Sequence, residues 1–576
     1  MNNRDYARIL GEVASLMQIK GVNQFRVRAF ENAAHTIEAE TRPIEELIER
    51  GEMTELSGIG EGIATQLEQI RERGTCDHLE ELLDELDPGL LDLLRIQGLG
   101  PKRIRVIYDE LKIVDLETLQ RAAEQNEIRA LSGFGKKTEE KILAEIERLA
   151  QTSGRIPLPT AQSVAESLRD QLGDVEGVES IDIAGSLRRG RETVGDIDLL
   201  VATENPEPVH QAFQSLVEVA EVLVSGQTKT SVRLRSGVQV DLRTVAPEIF
   251  GSALHYFTGS KDHHVALRTR AKRQGLKISE YGVFGDDEEK PLASRTEQEL
   301  FEALDLDYIP PELREGHDEI EAASRGELPD LVELTDIRGD LHMHTTETDG
   351  RASIEEMARA GAARGYDYIA ITDHSQAVRV ANGMNPARFA AQIDEVHRVD
   401  DTVDEIRIFA GIEVDILKDG SLDMDHELLA ACDWVVASIH SHFNLSKDAM
   451  TKRLISAIKS GLISCLGHPT GRILGGRDGY DYDFEQVVDC AVEYDVALEI
   501  NGSTGRLDLN CDLARHAHER GAMLVLGSDA HSRRGLEDMR FAVQQARRAG
   551  LEAESIVNTR SPERLLKAVA KTSNRD

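Results

Sequence analysis

The spacing of hydrophobic residues changes along the chain and predicts which elements form where. Near the N-terminus, apolar residues such as Ile9, Val13 and Leu16 recur at helical spacing, which predicts amphipathic helices. After Pro159, short apolar runs are separated by helix-like segments, and the same alternation returns beyond Asp336. Such runs predict β-strands that alternate with helices in two separate regions.

A short motif with two glycines occurs three times in the helical region. The glycines concerned are Gly58 and Gly60, Gly98 and Gly100, and Gly133 and Gly135. A Gly-x-Gly turn that opens a helix directs backbone N–H groups outward, which favours a phosphate ligand. Lys102 follows the second copy and Lys136 the third, whereas Glu61 follows the first. Phosphate contact is therefore expected mainly at the second and third copies, although a single copy would be weak evidence, because glycine also ends helices for structural reasons.

Three aspartates lie on predicted strands in the middle of the chain. A predicted strand leads into Gly185 and Ser186, and the next begins at Asp196 and Asp198, whose carboxylates share one strand face. Asp241 lies on a further predicted strand. Facing carboxylates raise one another's pKa unless cations lie among them, and phosphoryl-type transfer uses this arrangement with two divalent ions. Taken alone, a solvated glycine-rich turn before an edge strand explains the pattern about equally well.

An aromatic pair precedes the most basic helix of the chain. Tyr256 and Phe257 are followed by a predicted helix that carries Arg268, Arg270 and Lys272. Aromatic side chains beside cations can pack against the sugar and base of a nucleotide. The alternative interpretation, an ordinary core residue, applies above all to Phe257.

Potential metal ligands recur at the ends of apolar runs beyond Asp336. They are His342, His344, Asp349, His374, Glu413, His440, His468, Asp529 and His531. Helix-like segments separate the runs, which predicts a βα barrel with its chemistry at the C-terminal ends of the strands. Imidazole and carboxylate ligands without thiolates suit Mn²⁺, Zn²⁺ or Fe²⁺. Histidines in polar helix-like stretches, such as His397 and His516, are interpreted as ordinary core or surface residues.

The composition limits the classes of function. With 576 residues, the chain has room for about four domains. The net charge is −37, and only 17 of the 67 basic residues are lysine. Because affinity for nucleic acid comes from Lys and Arg at phosphates, a DNA enzyme of this charge needs local basic patches. The acidic, lysine-poor composition also suggests the hypothesis of adaptation to concentrated salt.

The sequence also predicts where the protein is located, through the membrane-spanning and secretory patterns that it does not show. No apolar run approaches the ~18 residues that span a membrane, and the first residues carry no secretory pattern. A cytoplasmic protein without a membrane partner is expected. The five cysteines are scattered, which predicts reduced, buried thiols rather than disulfides or a thiolate metal site.

Over about residues 1–320, these features together resemble a family X DNA polymerase. The resemblance implies a helical N-terminal domain, then fingers, palm and thumb, with addition of dNTPs to DNA 3′ ends at short gaps. It implies that Asp196, Asp198 and Asp241 are catalytic and hold two Mg²⁺ or Mn²⁺ ions. It also implies nucleotide binding by Arg155, Gly185, Ser186, Arg189, Gly195, Tyr256, Phe257, Gly259 and Arg268.

Three departures from the family pattern change the expected activity. Gln66 stands where relatives with lyase activity have a Schiff-base lysine, and because it cannot form an imine, no lyase chemistry of that type is expected. His264 stands where the family has an asparagine near the incoming base, and Val194 replaces a serine that helps to bind the triphosphate. The last two departures concern fidelity and nucleotide affinity rather than the chemistry.

From about residue 337, the chain resembles the polymerase and histidinol phosphatase (PHP) family of metal phosphoesterases. The resemblance assigns metal binding to the nine histidine, aspartate and glutamate residues that end the apolar runs, enough for up to three Zn²⁺, Mn²⁺ or Fe²⁺ ions. Degenerate members lose some of these residues, so the complete set predicts an active hydrolase.

Domain boundaries follow from the two resemblances and from composition. Residues 311–336 hold nine acidic and two basic residues, which indicates an acidic linker. The predicted units are an N-terminal domain with the first helix-hairpin-helix unit (1–90), fingers with further helix-hairpin-helix units (91–154), an α+β nucleotidyltransferase palm (155–245), a thumb (246–315), the linker (316–336) and a distorted (βα)7 PHP barrel (337–576).

The function expected from this order is DNA repair, including base excision repair, by two centres. One centre adds nucleotides at gapped or nicked DNA, and the other acts as a 3′-5′ exonuclease, 3′-end processing enzyme or AP endonuclease. The chain is expected to be a monomer that binds DNA and dNTPs. The alternatives are a phosphoesterase for small phosphate esters that uses its first half as a DNA tether, and a DNA-break scaffold without enzymatic activity.

Overall fold

The N-terminal region is helical, as the spacing of apolar residues predicts. The computed structural model describes residues 3–40, 42, 44–56, 58–87, 89–94, 96, 99–152, 155–285 and 288–568. The helices of this region are α1 (Asn3–Lys20), α2 (Gln24–Ala39), α3 (Ile44–Arg50), α4 (Glu61–Arg73), α5 (Asp77–Glu85), α6 (Gly89–Leu93), α7 (Pro101–Leu111), α8 (Leu116–Glu124) and α9 (Lys136–Thr152). Their apolar faces share one core that contains Ile9, Val13 and Leu16. Gly60 and Gly100 are the residues directly before α4 and α7.

A five-stranded sheet forms the predicted palm region. Its elements, in chain order, are β1 (Ile156–Pro157), α10 (Leu158–Gly173), β2 (Ser180–Ile183), α11 (Gly185–Arg188), β3 (Thr193–Val194), β4 (Ile197–Ala202), α12 (Pro206–Gln214), β5 (Val219–Ser225), β6 (Lys229–Leu234) and β7 (Gln239–Val245). The order in the sheet is β2-β4-β7-β6-β5, and β1 pairs with β3 separately. β4 and β7 are parallel neighbours in which Asp198 is the register partner of Asp241, so the two residues lie on the same face of the sheet.

A smaller helical unit follows the palm region. It comprises α13 (Phe250–Thr258), α14 (Lys261–Arg273), β8 (Leu276–Ser279), β9 (Gly282–Gly285), α15 (Glu297–Glu302) and α16 (Glu319–Arg325). Ile320 and Ala323 of α16 are buried in the same cluster as Leu300 and Phe301. The first part of the segment predicted as an acidic linker therefore belongs to this helical unit, because its apolar residues pack in the core of the unit.

Seven parallel strands form a barrel in the last part of the chain. Its elements are β10 (Gly339–Asp340), α17 (Ile354–Ala362), β11 (Tyr368–Ile371), α18 (Pro386–Asp400), β12 (Arg407–Asp415), α19 (His426–Ala431), β13 (Trp434–Ser438), α20 (Lys447–Ile458), β14 (Cys465–Leu466), α21 (Phe484–Glu493), β15 (Ala497–Asn501), α22 (Cys511–Glu519), β16 (Leu524–Gly527), α23 (Met539–Arg548) and α24 (Pro562–Ala568). The strands are neighbours in sequence order. A parallel bridge between Met343 and Ala530 brings the two outer strands together, so the barrel is nearly closed and the predicted architecture is confirmed.

The cysteines and the hydrophobicity of the helices bear on two simpler predictions. All five cysteines are buried and none of them forms a disulfide, which confirms the prediction of reduced, buried thiols. None of the helices that the structure describes combines the length and the apolar character required to cross a bilayer.

Two candidate metal centres

Asp196, Asp198 and Asp241 form the first candidate site, here called the acidic centre. One carboxylate oxygen from each residue lies within 4.8 Å of the others. Burial and, next to it, the negative charges of Asp196 and Asp241 raise the pKa of Asp198 to about 7. Divalent cations among the carboxylates would remove this repulsion, so the residues present fit the metal ions expected from the resemblance.

Lys229, on the neighbouring strand β6, supplies one positive charge to the acidic centre. Its Nζ lies 2.5 Å from Oδ2 of Asp241. Burial would raise the pKa of Asp241, but hydrogen bonds from Lys229, Ser231 and Gln239 lower it overall. Lys229 could not be predicted from the sequence, because nothing in the sequence shows which strand lies beside Asp241.

Gly185 lies against the acidic centre and has no room for a side chain. Its φ of +65° is in the left-handed region, which glycine adopts readily. A Cβ atom built at this position would lie 2.2 Å from Oδ2 of Asp198. The turn at Gly185 and Ser186, which opens α11, is thereby brought next to the aspartates.

The arginines after this turn are bound to other protein groups. Arg188 donates to both carboxylate oxygens of Glu297, at 2.9 and 2.7 Å. Arg189 donates to the Thr258 carbonyl at 2.5 Å, and burial lowers the pKa of its guanidinium. A Cβ at Gly259 would lie 3.1 Å from Nη1 of Arg189. Arg189 and Gly259, both predicted to bind nucleotide, are therefore adjacent.

Two further residues predicted to bind nucleotide, Arg155 and Gly195, line a cleft beside the palm region. Arg155 donates to the hydroxyl of Thr193 at 2.9 Å. The cleft lies between the N-terminal helices and the palm region. Val194 is fully buried in the palm core, so its apolar side chain stabilises the sheet and cannot contact a triphosphate directly.

The aromatic pair on α13 carries cations over its rings. The guanidinium carbon of Arg268 lies 5.8 Å from the ring centre of Tyr256, and that of Arg243 lies 4.5 Å from the ring centre of Phe257. His264 stacks on Tyr256 with ring centres 5.5 Å apart. Such contacts hold the two rings in fixed positions at the edge of the palm.

The glycine turns of the helical region have open space around their glycines. A Cβ atom at Gly60, Gly100, Gly133 or Gly135 would meet nothing within 4 Å. Gly58 is nearly as open, with its first neighbouring atoms 3.9 Å away, and Gly98 lies outside the described residues. Lys102 and Lys136 are both exposed, so a phosphate backbone has access to these turns.

The second candidate site, here called the histidine centre, lies at the C-terminal ends of the barrel strands. Its nine residues are His342, His344, Asp349, His374, Glu413, His440, His468, Asp529 and His531. Atoms within 4.8 Å of one another define three overlapping groups: one contains His344, Asp349, His374 and His531, another His342, His344 and Asp529, and the third His374, Glu413 and His440. The sequence also predicts that His342 and His344 share one face of a strand. This prediction is wrong, because β10 ends at Asp340 and both histidines follow it.

Glu413, at the centre of the barrel mouth, joins these groups. Its carboxylate lies 2.8 Å from Nδ1 of His374 and 2.9 Å from Nε2 of His468, which connects His468 to the rest of the centre. Burial would raise the pKa of Glu413, but the charges of His374, His440 and His342 hold it well below its usual range.

Several buried imidazole nitrogens in the histidine centre lack a hydrogen-bond partner. Among the described residues they include Nε2 of His342 and both ring nitrogens of His344. A buried polar atom without a partner is costly, and each of these atoms faces other potential ligands. The donor set therefore fits metal ions of the kind expected for imidazole and carboxylate ligands.

Three acidic residues that the sequence analysis missed support the histidines. Glu499 lies 2.6 Å from Nδ1 of His342, Asp415 lies 3.2 Å from Nδ1 of His440, and Asp340 accepts a hydrogen bond from the His342 amide at 3.3 Å. Carboxylates in this position orient a ligating imidazole. The available signal was a single carboxylate within an apolar strand, as in Ala497–Asn501.

The chain matches protein-family models over most of its length. The descriptions and residues are a helix-hairpin-helix domain (1–76), a SAM-like helix-hairpin-helix tandem (90–148), a DNA polymerase beta palm (155–238), a DNA polymerase beta thumb (253–315) and a PHP domain (340–503).

Individual proteins extend this likeness. The DNA polymerase/3′-5′ exonuclease PolX of Bacillus subtilis (strain 168) is 40% identical over 563 residues, which is 97% of this chain and 98% of that protein. A probable phosphatase of Aliivibrio fischeri (strain MJ11) is 32% identical over 205 residues, 34% of this chain and 78% of that protein. A polymerase beta structure from Leishmania infantum is 21% identical, covers 39% of this chain and 98% of that chain, and gives a TM-score of only 0.27.

Proposed function

The chain belongs to the family X DNA polymerases that carry a C-terminal PHP domain, and we propose that it is a DNA repair enzyme with two separate centres. The acidic centre adds dNTPs to DNA 3′ ends at short gaps or nicks. The histidine centre removes 3′ nucleotides or processes damaged 3′ ends. The observation that carries the proposal is that one chain keeps both ligand sets complete, with the aspartates and histidines each converging in space.

In the acidic centre, Asp196, Asp198 and Asp241 would hold two Mg²⁺ or Mn²⁺ ions. Bound divalent ions supply charge neutralisation at the attacking and leaving oxygens. The Gly185–Ser186 turn offers backbone N–H groups and a hydroxyl to the triphosphate. Arg155, Arg189 and Gly195 would contact the same triphosphate, with Tyr256, Phe257 and Gly259 at the sugar and Arg268 at the template-side base pair.

In the histidine centre, the nine residues would hold up to three Zn²⁺, Mn²⁺ or Fe²⁺ ions. Such ions supply Lewis acidity and charge neutralisation during hydrolysis of a phosphodiester. Glu499 contacts Nδ1 of His342 and Asp415 contacts Nδ1 of His440, so that Nε2 of each ring would be the nitrogen that binds a metal ion.

DNA would be held by backbone contacts at the glycine turns. Gly60, Gly100 and Gly135 leave the turn surface open, and Lys102 and Lys136 follow two of the turns. Contacts of this kind position a duplex without reading its sequence. We expect the enzyme to act as a monomer in the cytoplasm.

The test separates the two centres by mutation. Asp198→Ala should lower gap filling on a gapped primer–template at least about 1000-fold and leave 3′ nucleotide release within about twofold, and His344→Ala should do the reverse, because each removes a metal ligand. Asp174→Ala and His397→Ala, two exposed residues of the same types, serve as matched controls. Loss of both activities in either ligand variant would contradict the two-centre proposal.

A second candidate function is hydrolysis of small phosphate esters, since relatives named as probable phosphatases match about a third of the chain. One assay distinguishes the two substrate classes. Turnover of histidinol phosphate is compared with release of nucleotides from a DNA 3′ end, under the same metal conditions. Faster turnover of the small ester, with no release from DNA, would favour this alternative.

A further inference from the structure

The barrel packs on the palm through a segment that also reaches the histidine centre. Leu507, which lies between β15 and α22, is fully buried in the palm core. Its φ of +45° is in the left-handed region, which a leucine adopts only where surrounding packing holds it. Phe541 of α23 is buried in the same palm core. The palm therefore fixes the conformation of the barrel segment around Leu507.

An ion pair forms a second contact between this segment and the palm. Arg472 of the barrel donates to both carboxylate oxygens of Glu192 of the palm, at 2.6 and 3.1 Å. The same guanidinium donates to the backbone carbonyl of Arg506 at 3.1 Å and to that of Leu507. The two side chains are only 16% and 22% exposed. A bidentate, mostly buried pair of this kind has a well-defined geometry.

The barrel holds the other end of the segment. The carboxylate of Asp508 accepts hydrogen bonds from the backbone amides of Thr470 and Gly471, each at 3.0 Å. The backbone around Arg506 is thus held at two points. Asp508 binds the amides of Thr470 and Gly471, and Arg472 connects the Arg506 carbonyl to Glu192 of the palm.

The side chain of Arg506 lies in the histidine centre. Its Nε is 3.5 Å from Oδ2 of Asp529, and the side chain is 19% exposed. A guanidinium has five N–H donors in a planar fork that matches a phosphate, and one ion pair leaves most of them available. Arg506 brings a positive charge to a cluster whose other members are imidazoles and carboxylates.

We propose that Glu192 of the palm is a positioning residue for the histidine centre. Through Arg472 and residues 506–507, it holds the Arg506 guanidinium where that group binds the phosphate of a DNA 3′ end. The proposal rests on the hydrolytic function proposed above. It means that a palm carboxylate, outside the barrel, sets the substrate affinity of the second centre.

The experiment compares Arg506→Met, Arg506→Lys, Glu192→Gln and Arg472→Met in the full chain. The matched control is Glu166→Gln, which breaks another ion pair between palm and barrel, 3.0 Å from Arg540 to Glu166, without touching residues 506–507. For each variant, kcat and KM for nucleotide release from a single-stranded oligonucleotide are measured with Mn²⁺. Metal content, and binding of inorganic phosphate by calorimetry, are measured on the same preparations.

Arg506→Met should lower kcat/KM about 100-fold, as expected for loss of a charged phosphate contact, and weaken phosphate binding with metal content unchanged. Arg506→Lys should retain part of the affinity, because it keeps the charge but not the fork. Glu192→Gln and Arg472→Met should raise KM and weaken phosphate binding about tenfold, as loss of a positioning group does. Glu166→Gln should stay within about twofold of wild type, as a partly exposed pair predicts.

Two outcomes would overturn the inference. If metal content fell in step with activity in Arg506→Met, the residue would only support Asp529. If Glu192→Gln behaved like Glu166→Gln, the palm would not position Arg506. Retained gap filling in Arg506→Met shows that the chain is folded. Failure of the wild type to release nucleotides would contradict the proposed function instead, and phosphate binding would still test Arg506.

Discussion

The acidic centre and the histidine centre reach a metal-binding arrangement by different routes. The acidic centre takes two carboxylates from adjacent parallel strands, where Asp198 and Asp241 are register partners, and the third from Asp196, directly before β4. The histidine centre collects its residues from the ends of six strands, β10 to β14 and β16, around one barrel mouth. A site on neighbouring strands needs one pairing to be correct, whereas the barrel site needs the whole sheet to close.

The two centres also differ in how their charges are balanced. In the acidic centre, burial and the neighbouring carboxylates raise the pKa of Asp198 to about 7. In the histidine centre, burial would raise the pKa of Asp349, but His531, His344 and His374 bring it down to about 2. The histidine centre therefore offsets its carboxylates with its own imidazoles, whereas in the acidic centre Lys229 pairs with Asp241 and leaves the pKa of Asp198 raised.

The largest expected effect tests whether the histidine centre depends on its central carboxylate. Glu413→Gln should abolish nucleotide release and lower metal content, because it removes the buried charge that contacts His374 and His468. Glu499→Gln, which removes only a supporting carboxylate, should cost the smaller 10–100-fold typical of such residues, on the order of 1–3 kcal/mol. Elemental analysis and nucleotide release measure both variants, and equal losses would show that the two carboxylates have the same role.

The next effect tests whether the acidic centre depends on the backbone beside it. Gly185→Ala should lower gap filling about 10–100-fold, because its Cβ would displace the Asp198 carboxylate. Gly237→Ala is the matched control: its φ is +82° with nothing within 4 Å, so it should lose about 1–2 kcal/mol of stability from backbone strain alone.

Urea unfolding and gap-filling kinetics separate the two glycine variants. Both should lose similar stability, and only Gly185→Ala should lose activity beyond about twofold. A large loss of gap filling in Gly237→Ala would show that strain, not the contact with Asp198, limits this centre.

The smallest effect concerns pH and the acidic centre. Since the pKa of Asp198 without metal is about 7, a cation must displace a proton below that pH. In the His344→Ala variant, apparent Mn²⁺ affinity should therefore fall about tenfold for each pH unit below about 7 and level off above it. Electron paramagnetic resonance of free Mn²⁺ measures the affinity. An affinity independent of pH from about 6 to 8 would contradict the ionisation assigned to Asp198.

Sequence reasoning identified ligand types more readily than supporting residues. All nine residues of the histidine centre except Asp349 follow apolar runs, and ends of parallel strands meet at one edge of a barrel. The resemblance to the PHP family implied the full set of nine, including Asp349. Glu499 was missed because its run ends at Asn501, and a single acidic residue within a strand gives no indication of the imidazole it meets. Lys229 was missed because its role depends on β6 lying beside β7.

The sequence by itself determined the order of elements, the chemical types of the two ligand sets and the family to which they point, because periodicity and residue type are local properties. Only the tertiary structure decided that Leu507 enters the palm core and that Arg472 connects Glu192 to the backbone of Arg506. Those contacts join residues far apart in the chain, and their existence depends on the packing of complete domains. No local pattern encodes them.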